Sequence, residues 1–358
     1  HTAAAMSLAG GALFTVLGIV FSPVILRWMG TPEDVLVHAE VYVRIYFAGM
    51  IPSLIYNVGA GLLRAVGDSR RPLYFLISAC MVNIVLDVLL VVGLEMGVAG
   101  AALATIFSQA VSAVLVVLTL LRSHQAYRLE PRKIRFYGNL LDRIVRIGFP
   151  AGLQSVMYSL SNIIIQASIN AFGTDIVAAY TAYGKLDGLY WMMINAFGVS
   201  ITTFVGQNFG AGKYDRMRRS VRVCLLMTFG ATALMSGFFL LLGEPLYRLF
   251  TDDAQVIALG MQILRLLVPT YVTYICIEVL AGAVRGTGDS LIPTLFTLTG
   301  VCLLRVAWVM GVAPAYHSLT VVLLSYPITW TITSVLFVIY YLKGGWLKRS
   351  ISKAKLEA

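Results

Sequence analysis

Asn83 and Asp87 stand four residues apart in an otherwise apolar stretch, so on a helix they share one face. Thr105, in the next apolar stretch, falls at nearly the same depth. An ionisable side chain inside hydrocarbon costs at least about 2.5 kcal/mol and is normally kept where it meets protein or a wet cavity. A carboxylate with an amide and a hydroxyl beside it either serves a function in a wet cavity or forms a structural hydrogen-bond knot, and the functional reading is the expected one. The rest of the chain offers a control, because an internal repeat described below puts Leu304, Trp308 and Tyr326 at the positions matching Asn83, Asp87 and Thr105. The polar trio is therefore not a requirement of the scaffold.

A second set of polar residues lies further on. Gln154, Tyr158, Asn162, Gln166 and Asn170 recur every fourth residue and make one broad polar face on an apolar helix. Such a stripe either lines a cavity or hydrogen-bonds to neighbouring helices, and the cavity is the expected role for Gln154, Tyr158 and Asn162. Lys185 and Asp187 fall near mid-membrane in the following stretch and cannot face each other at a spacing of two. Arg305 is at a depth where it could serve Asp187, and Glu278 lies about two turns from the end of its own helix. A buried structural ion pair and a cavity contact are both open for these four. Tyr180, Tyr183, Tyr190 and Trp191 could stack an organic cation or simply anchor a helix.

Several chemistries find no support. His1, His38, His124 and His317 sit at ends or loops, and Cys80, Cys224, Cys276 and Cys302 lie singly with no metal-type spacing. A Mg²⁺-dependent intramembrane transferase needs clustered carboxylates, whereas Asp87, Asp187 and Glu278 lie at separate depths. No G-x-x-x-x-G-K-[ST] loop is present for a nucleotide. No cofactor is expected.

The elements that position these residues follow from composition. Of 358 residues, 59% are hydrophobic and 12% charged, about half the charge of an ordinary soluble domain. Apolar runs of about 20 residues suffice to cross the hydrocarbon layer as helices. Ten are expected, near residues 3–27, 36–63, 72–93, 98–121, 144–171, 176–208, 217–243, 254–283, 291–312 and 318–342. The runs are continuous rather than alternating, which excludes a barrel.

The net charge of +10 is spread over alternate loops, with no stripe between aromatics, so nucleic acid is not an expected partner. Loops holding Arg64, Arg70 and Arg71, then Arg122 to Arg135, then Lys213 to Arg219, and the tail with Lys348 and Arg349 are basic and are placed in the cytoplasm. The loops with Thr31 to Asp34, Glu95, Asn170 to Asp175, Thr251 to Asp253 and Pro314 to His317 are placed outside. Both ends of the chain then lie in the cytoplasm, in a multi-pass protein of the inner membrane.

Residues near 23–121 and 245–343 match at a shift of about 221. The anchor is R-x-x-G-D-S-x-x-P, read at Arg64 to Pro72 and again at Arg285 to Pro293. Each part has a local role: Arg opposes the negative end of the finishing helix, Gly permits a left-handed turn, and Asp or Ser caps the next helix.

With the repeated G-D-S turn, the segment Gly206-Gln207-Asn208-Phe209-Gly210-Ala211-Gly212 at a helix end, and Asn83-Ile84-Val85-Leu86-Asp87 within a span, the chain resembles the multidrug and toxic compound extrusion (MATE) transporters along its whole length. The resemblance implies an all-α polytopic fold of twelve helices in two lobes, of which ten are present and two would precede His1. On that plan residues 1–121 form the N-terminal lobe, 122–140 a basic cytoplasmic linker, 141–343 the C-terminal lobe and 344–358 a basic tail. It also implies export of small organic cations in exchange for protons or sodium by alternating access. In proton-coupled members an N-x-x-x-D helix and a nearby Thr form the N-lobe ion site, matched here by Asn83, Asp87 and Thr105, with a proton or sodium ion at Asp87. Gln154, Tyr158, Asn162, Lys185, Asp187, Glu278 and Arg305 are the expected C-lobe cavity residues, and the protein is expected to act as a monomer. Some members carry a Glu where this chain has Tyr158. A related flippase for lipid-linked saccharides is the alternative, and it would line its cavity with several cationic residues for pyrophosphate.

Overall fold

The computed structural model describes residues 1–28 and 32–357, with side chains through residue 352. Thr31 and the start of its loop fall outside the described residues. Helices α1 (Thr2–Trp28), α2 (Glu33–Ala48), α3 (Met50–Ala65), α4 (Arg70–Asp87), α5 (Gly97–Arg122), α6 (Gly138–Asn170), α7 (Thr174–Gly210) and α8 (Tyr214–Arg248) are followed by α9 (Ala254–Leu267), α10 (Ile275–Gly286), α11 (Leu291–Thr297) and α12 (Leu304–Gly311). Then come α13 (Ala313–Tyr316), α14 (Leu319–Leu323), α15 (Ser325–Leu342) and α16 (Gly345–Glu357). The described residues contain no strand.

Each of the ten stretches expected to span is helical apart from a residue or two at its ends and single-residue breaks at Gly49, Tyr274 and Leu324. Eight helical segments among the described residues are long and apolar enough to cross a membrane, and α2 with α3, bent by 47°, make a ninth when taken as one. The bend falls at Gly49, three residues before Pro52, whose ring nitrogen has no hydrogen for the carbonyl of Ala48. The tenth, α6, is long enough at 33 residues, but its polar stripe and Pro150 make it less apolar than the others. Large apolar side chains such as Val92, Leu234 and Leu241 are at least 72% exposed to the surroundings, the reverse of a soluble protein and the arrangement that lipid favours.

The chain divides into two compact units, His1–Ile144 and Val145–Ala358. In the first unit α1 packs on α2 and α3, and α5 packs on α2, α3 and α4. Small residues set these approaches: a Cβ at Gly59 would meet Val116 Cγ2 at 2.8 Å, and one at Gly18 would enter the Phe47 ring. Residues 123–137 fold back on the same unit, where the Leu129 amide donates to the Leu120 carbonyl and the Tyr137 amide to Thr2 Oγ1.

In the second unit the same device brings α7 against α10. A Cβ at Gly282 would lie 3.0 Å from the Gly198 carbonyl, and one at Gly286 would lie 2.7 Å from the Thr202 carbonyl. Thr202 Oγ1 donates to the carbonyls of Gly198 and Gly282 at 2.8 and 3.0 Å, tying the two backbones together. Pro269 ends α9, and the chain continues as a 3₁₀ stretch, Val268–Thr273, before α10 begins. Backbone oxygens there find side chains instead: Ser236 donates to the Val268 carbonyl, and Ser334 to that of Thr273.

The two repeated turns adopt the same backbone. Gly67 and Gly288 have φ of 90° and 89°, a region open to glycine. Asp68 Oδ1 accepts from the Arg71 amide and Asp289 Oδ1 from the Ile292 amide, at 3.1 and 3.5 Å, so the aspartates cap the helices that follow.

Candidate functional site

The second unit carries an open cavity of about 850 Å³. Helix α6 contributes Gln154, Tyr158, Asn162 and Gln166, so the four-residue polar spacing becomes one wall of the cavity. The facing wall carries Asp187, Trp191 and Asn195 on α7, Tyr274 just before α10, Glu278 and Arg285 on α10, Arg305 on α12 and Tyr326 on α15.

Asp187 is held by aromatic donors. Its Oδ1 accepts from Tyr271 Oη at 2.6 Å and from Tyr183 Oη at 3.1 Å, and its Oδ2 accepts from Trp191 Nε1 at 2.7 Å. Tyr271 is aimed by the 3₁₀ stretch after Pro269 and stacks on Tyr190 with ring centres 3.9 Å apart. Three neutral donors satisfy the carboxylate, and no cation among the described residues is bonded to it.

Glu278 sits one helix away. Its Oε1 is 3.2 Å from Arg285 Nη2, and its Oε2 accepts from Tyr274 Oη at 3.4 Å. Tyr274 Oη is 3.2 Å from Tyr158 Oη, which joins the polar stripe of α6 to the carboxylate. Glu278 lies directly over Gly198: a Cβ there would come 2.1 Å from Glu278 Oε1.

Arg305 departs from expectation. It forms no ion pair with Asp187; its guanidinium lies 4.3 Å from the centre of the Tyr326 ring and donates to Thr329 Oγ1 at 3.3 Å. The arginine is 2% exposed, and its Nε has no partner among the described residues. The oxygens of Asp187 are already filled, and a planar cation on an aromatic face is stable without a carboxylate. Lys185 is corrected outright: it is exposed and does not line the cavity, because two residues along a helix turn a side chain to the opposite side from Asp187. Of the four aromatics considered as stacking partners, Tyr180 and Trp191 line the cavity, whereas Tyr183 and Tyr190 are buried behind it.

Tyr271, Tyr274 and Arg285 were not among the expected cavity residues. Tyr274 and Glu278 stand four apart, and Tyr271 precedes Tyr274 by three, so one face leading into α10 was readable. Arg285 was concealed by its place in the repeated turn, where a helix-end role already accounted for it.

In the first unit Asn83 and Asp87 are half-buried on α4, and Thr105 is half-buried on α5, which packs on α4. Thr105 Oγ1 donates to the Ala101 carbonyl at 3.0 Å. Asp87 forms no ion pair with any described residue. It ends the regular α-helix, and a π-helical stretch, Val88–Gly93, follows it directly. The bond between the three side chains that a closed ion site would show is absent among the described residues.

The MatE family model matches residues 1–89 and 150–310, both the segment bearing Asn83 and Asp87 and the segment bearing the cavity. The chain belongs to the MatE family. It is an all-α, multi-pass membrane protein of that transporter family. It is 26% identical over 353 residues to the probable multidrug resistance protein YoeA of Bacillus subtilis, covering 96% of this chain and 76% of the relative. It is also 26% identical to the probable multidrug resistance protein NorM of Thermotoga maritima, over 97% of this chain and 78% of that protein. Among solved structures, the outward-facing form of a multidrug resistance MATE family transporter of the MOP superfamily superposes with a TM-score of 0.88 at 22% identity, covering 99% of this chain and 80% of that one. The chain thus spans about three quarters of the length of these two curated relatives.

Proposed function

We propose that this MatE-family transporter is a secondary antiporter of the cell's inner membrane that exports small organic cations by alternating access, in exchange for protons or sodium. The observation that carries the reading is the cavity, where Asp187 and Glu278 sit among the rings of Tyr158, Tyr180, Trp191, Tyr274 and Tyr326. Aromatic faces attract a delocalised organic cation, and a carboxylate supplies its countercharge. Two acids are balanced by Arg285 and Arg305 on the same walls, unlike the cationic lining that pyrophosphate would need. Asp87, with Asn83 and Thr105, serves as the ion-coupling site in the first unit, and the protein works as a monomer.

The test is efflux of a fluorescent organic cation from proteoliposomes under an imposed proton or sodium gradient, alongside a lipid-flipping assay. Ion-driven cation efflux without flipping is the expected result; flipping alone would replace the antiporter reading with the flippase.

A Tyr158→Phe, Asn162→Leu double variant is expected to fold normally and to change the ranking of exported cations severalfold. It removes the hydroxyl that meets Tyr274 and one amide from the cavity wall. Unchanged export of every cation tested would make the α6 stripe structural.

In the proposed topology the turns at Ser69 and Lys213 face the cytoplasm and those at Glu33 and Asp252 face outward, with both ends of the chain inside. Single-cysteine variants at these positions, treated with an impermeant thiol reagent in intact cells, should react at 33 and 252 and stay protected at 69 and 213. Reaction at 69 with protection at 252 would reverse the orientation.

A further inference from the structure

A second hollow in the Val145–Ala358 unit, of about 700 Å³, lies away from the cavity described above. Its walls come from the turn between α7 and α8, the first turns of α8, and the joint between α15 and α16. Five cations line it: Lys213, Arg216, Arg218, Lys343 and Lys348. Asp215 is the one acid on its wall, and none of the five cations forms an ion pair with a described residue. Converging like charges repel, and with one carboxylate against five cations the arrangement is stabilised by an anion from outside.

The wall formed by α16 is docked, not trailing. Trp346 and Leu347 are buried, the Trp346 ring stacks on Tyr341 with centres 5.1 Å apart, and Trp346 Nε1 donates to the Tyr341 carbonyl at 3.1 Å. Ser350 Oγ lies 3.0 Å from Thr287 Oγ1, which fastens the helix to the second repeated turn. Lys348 of α16, and Lys343 just before it, are therefore held beside Arg216 and Arg218 of α8. Leu347 and Ile351 add an apolar flank to the same hollow. Its position at the basic ends of spanning helices is the level of lipid headgroups.

We propose that this hollow binds the phosphodiester headgroup of an anionic phospholipid, with the cations on the phosphate and the Leu347 and Ile351 flank against the glycerol and upper acyl carbons. The volume is larger than a free phosphate requires, and the mixed cationic and apolar lining matches a headgroup attached to chains. Docked lipid would brace α16 against α8 and the turn at Thr287.

The experiment is native mass spectrometry of the full-length protein in detergent, titrated with phosphatidylglycerol or phosphatidylcholine. Wild-type protein should retain phosphatidylglycerol in preference to phosphatidylcholine. An Arg218→Gln, Lys343→Gln, Lys348→Gln variant should bind phosphatidylglycerol roughly tenfold or more weakly. A charge-matched Arg128→Gln, Arg132→Gln, Arg135→Gln variant should bind as wild type. Equal loss in both variants, or equal retention of the two lipids by wild type, would overturn the site. Inorganic phosphate added to the wild-type complex should leave the lipid bound; displacement by phosphate would show a small-anion site and overturn the lipid assignment without any variant.

Discussion

Asp87→Asn is expected to abolish ion-driven efflux while leaving expression and fold intact. The substitution keeps side-chain volume and removes the charge that can be exchanged for a proton or bind sodium. Asp87 forms no ion pair with any described residue, so its neutralisation strands no buried cation, and stability should change little. An acid retained inside hydrocarbon carries a cost, and at Asp87 no ion pair with a described residue offsets it. Its position just before the π-helical stretch Val88–Gly93 fits a role in coupling, since such stretches add a residue to the turn and are frequent at functional sites. Leu304→Asn, at the place in the repeat that matches Asn83, should affect efflux far less. The measurement is efflux in proteoliposomes across a range of external pH and sodium. Normal efflux by Asp87→Asn over that range would remove the residue from the coupling step and leave Asp187 and Glu278 as the carboxylates to test.

Gly198→Ala should be nearly as damaging, through packing. The added methyl would lie 2.1 Å from Glu278 Oε1 and within 2.9 Å of the two carbons behind it, so the glutamate must leave its place. Displacement breaks its contact with Arg285 and its hydrogen bond from Tyr274, both of which line the cavity. Overpacking of this kind costs about 1–3 kcal/mol. The pair itself adds little to that figure, because its two side chains remain 23% and 18% exposed. A lowered Tm and loss of most cation efflux are expected together. Gly184→Ala on the same helix is the control: nothing lies within 4 Å of its added Cβ, and alanine is the better helix former, so it should melt at or above the wild-type temperature. Equal Tm and efflux for Gly198→Ala and wild type would mean that Glu278 does not need its observed position.

The fold was largely legible because lipid imposes one rule on every span, namely that backbone groups must bond within the helix, so a run of apolar residues carries its own structure. The repeat supplied the turns as well, and Gly67 and Gly288 take the left-handed backbone that the motif implied. Pro52 and Pro269 mark in the sequence where spans bend or break, though not how far. The stripe on α6 was legible for the same reason: four-residue spacing stays on one face of any helix, and Gln154, Tyr158 and Asn162 line one wall of the cavity.

What the sequence could not decide was which residues from different helices meet. Depth along a span is readable to a turn or so, but rotation about the helix axis is fixed by its neighbours. Arg305 and Asp187 were matched by depth and charge, yet each meets aromatic side chains that sequence distance conceals: Tyr326 for the arginine, and Tyr271, 84 residues away, for the aspartate. The approach of α7 to α10 depends on Gly198, Gly282 and Gly286 lying at one crossing, and only that crossing brings Glu278 onto Gly198. Lys185 and Asp187, two residues apart, end on different faces, and packing selected the aspartate for the cavity. Composition and period thus determined the helices, their order and the polar face of α6, because those are properties of a chain in lipid. The pairing of charges with aromatic donors was decided by tertiary packing, because hydrogen bonds of about 3 Å depend on helix rotations and offsets that no periodicity records.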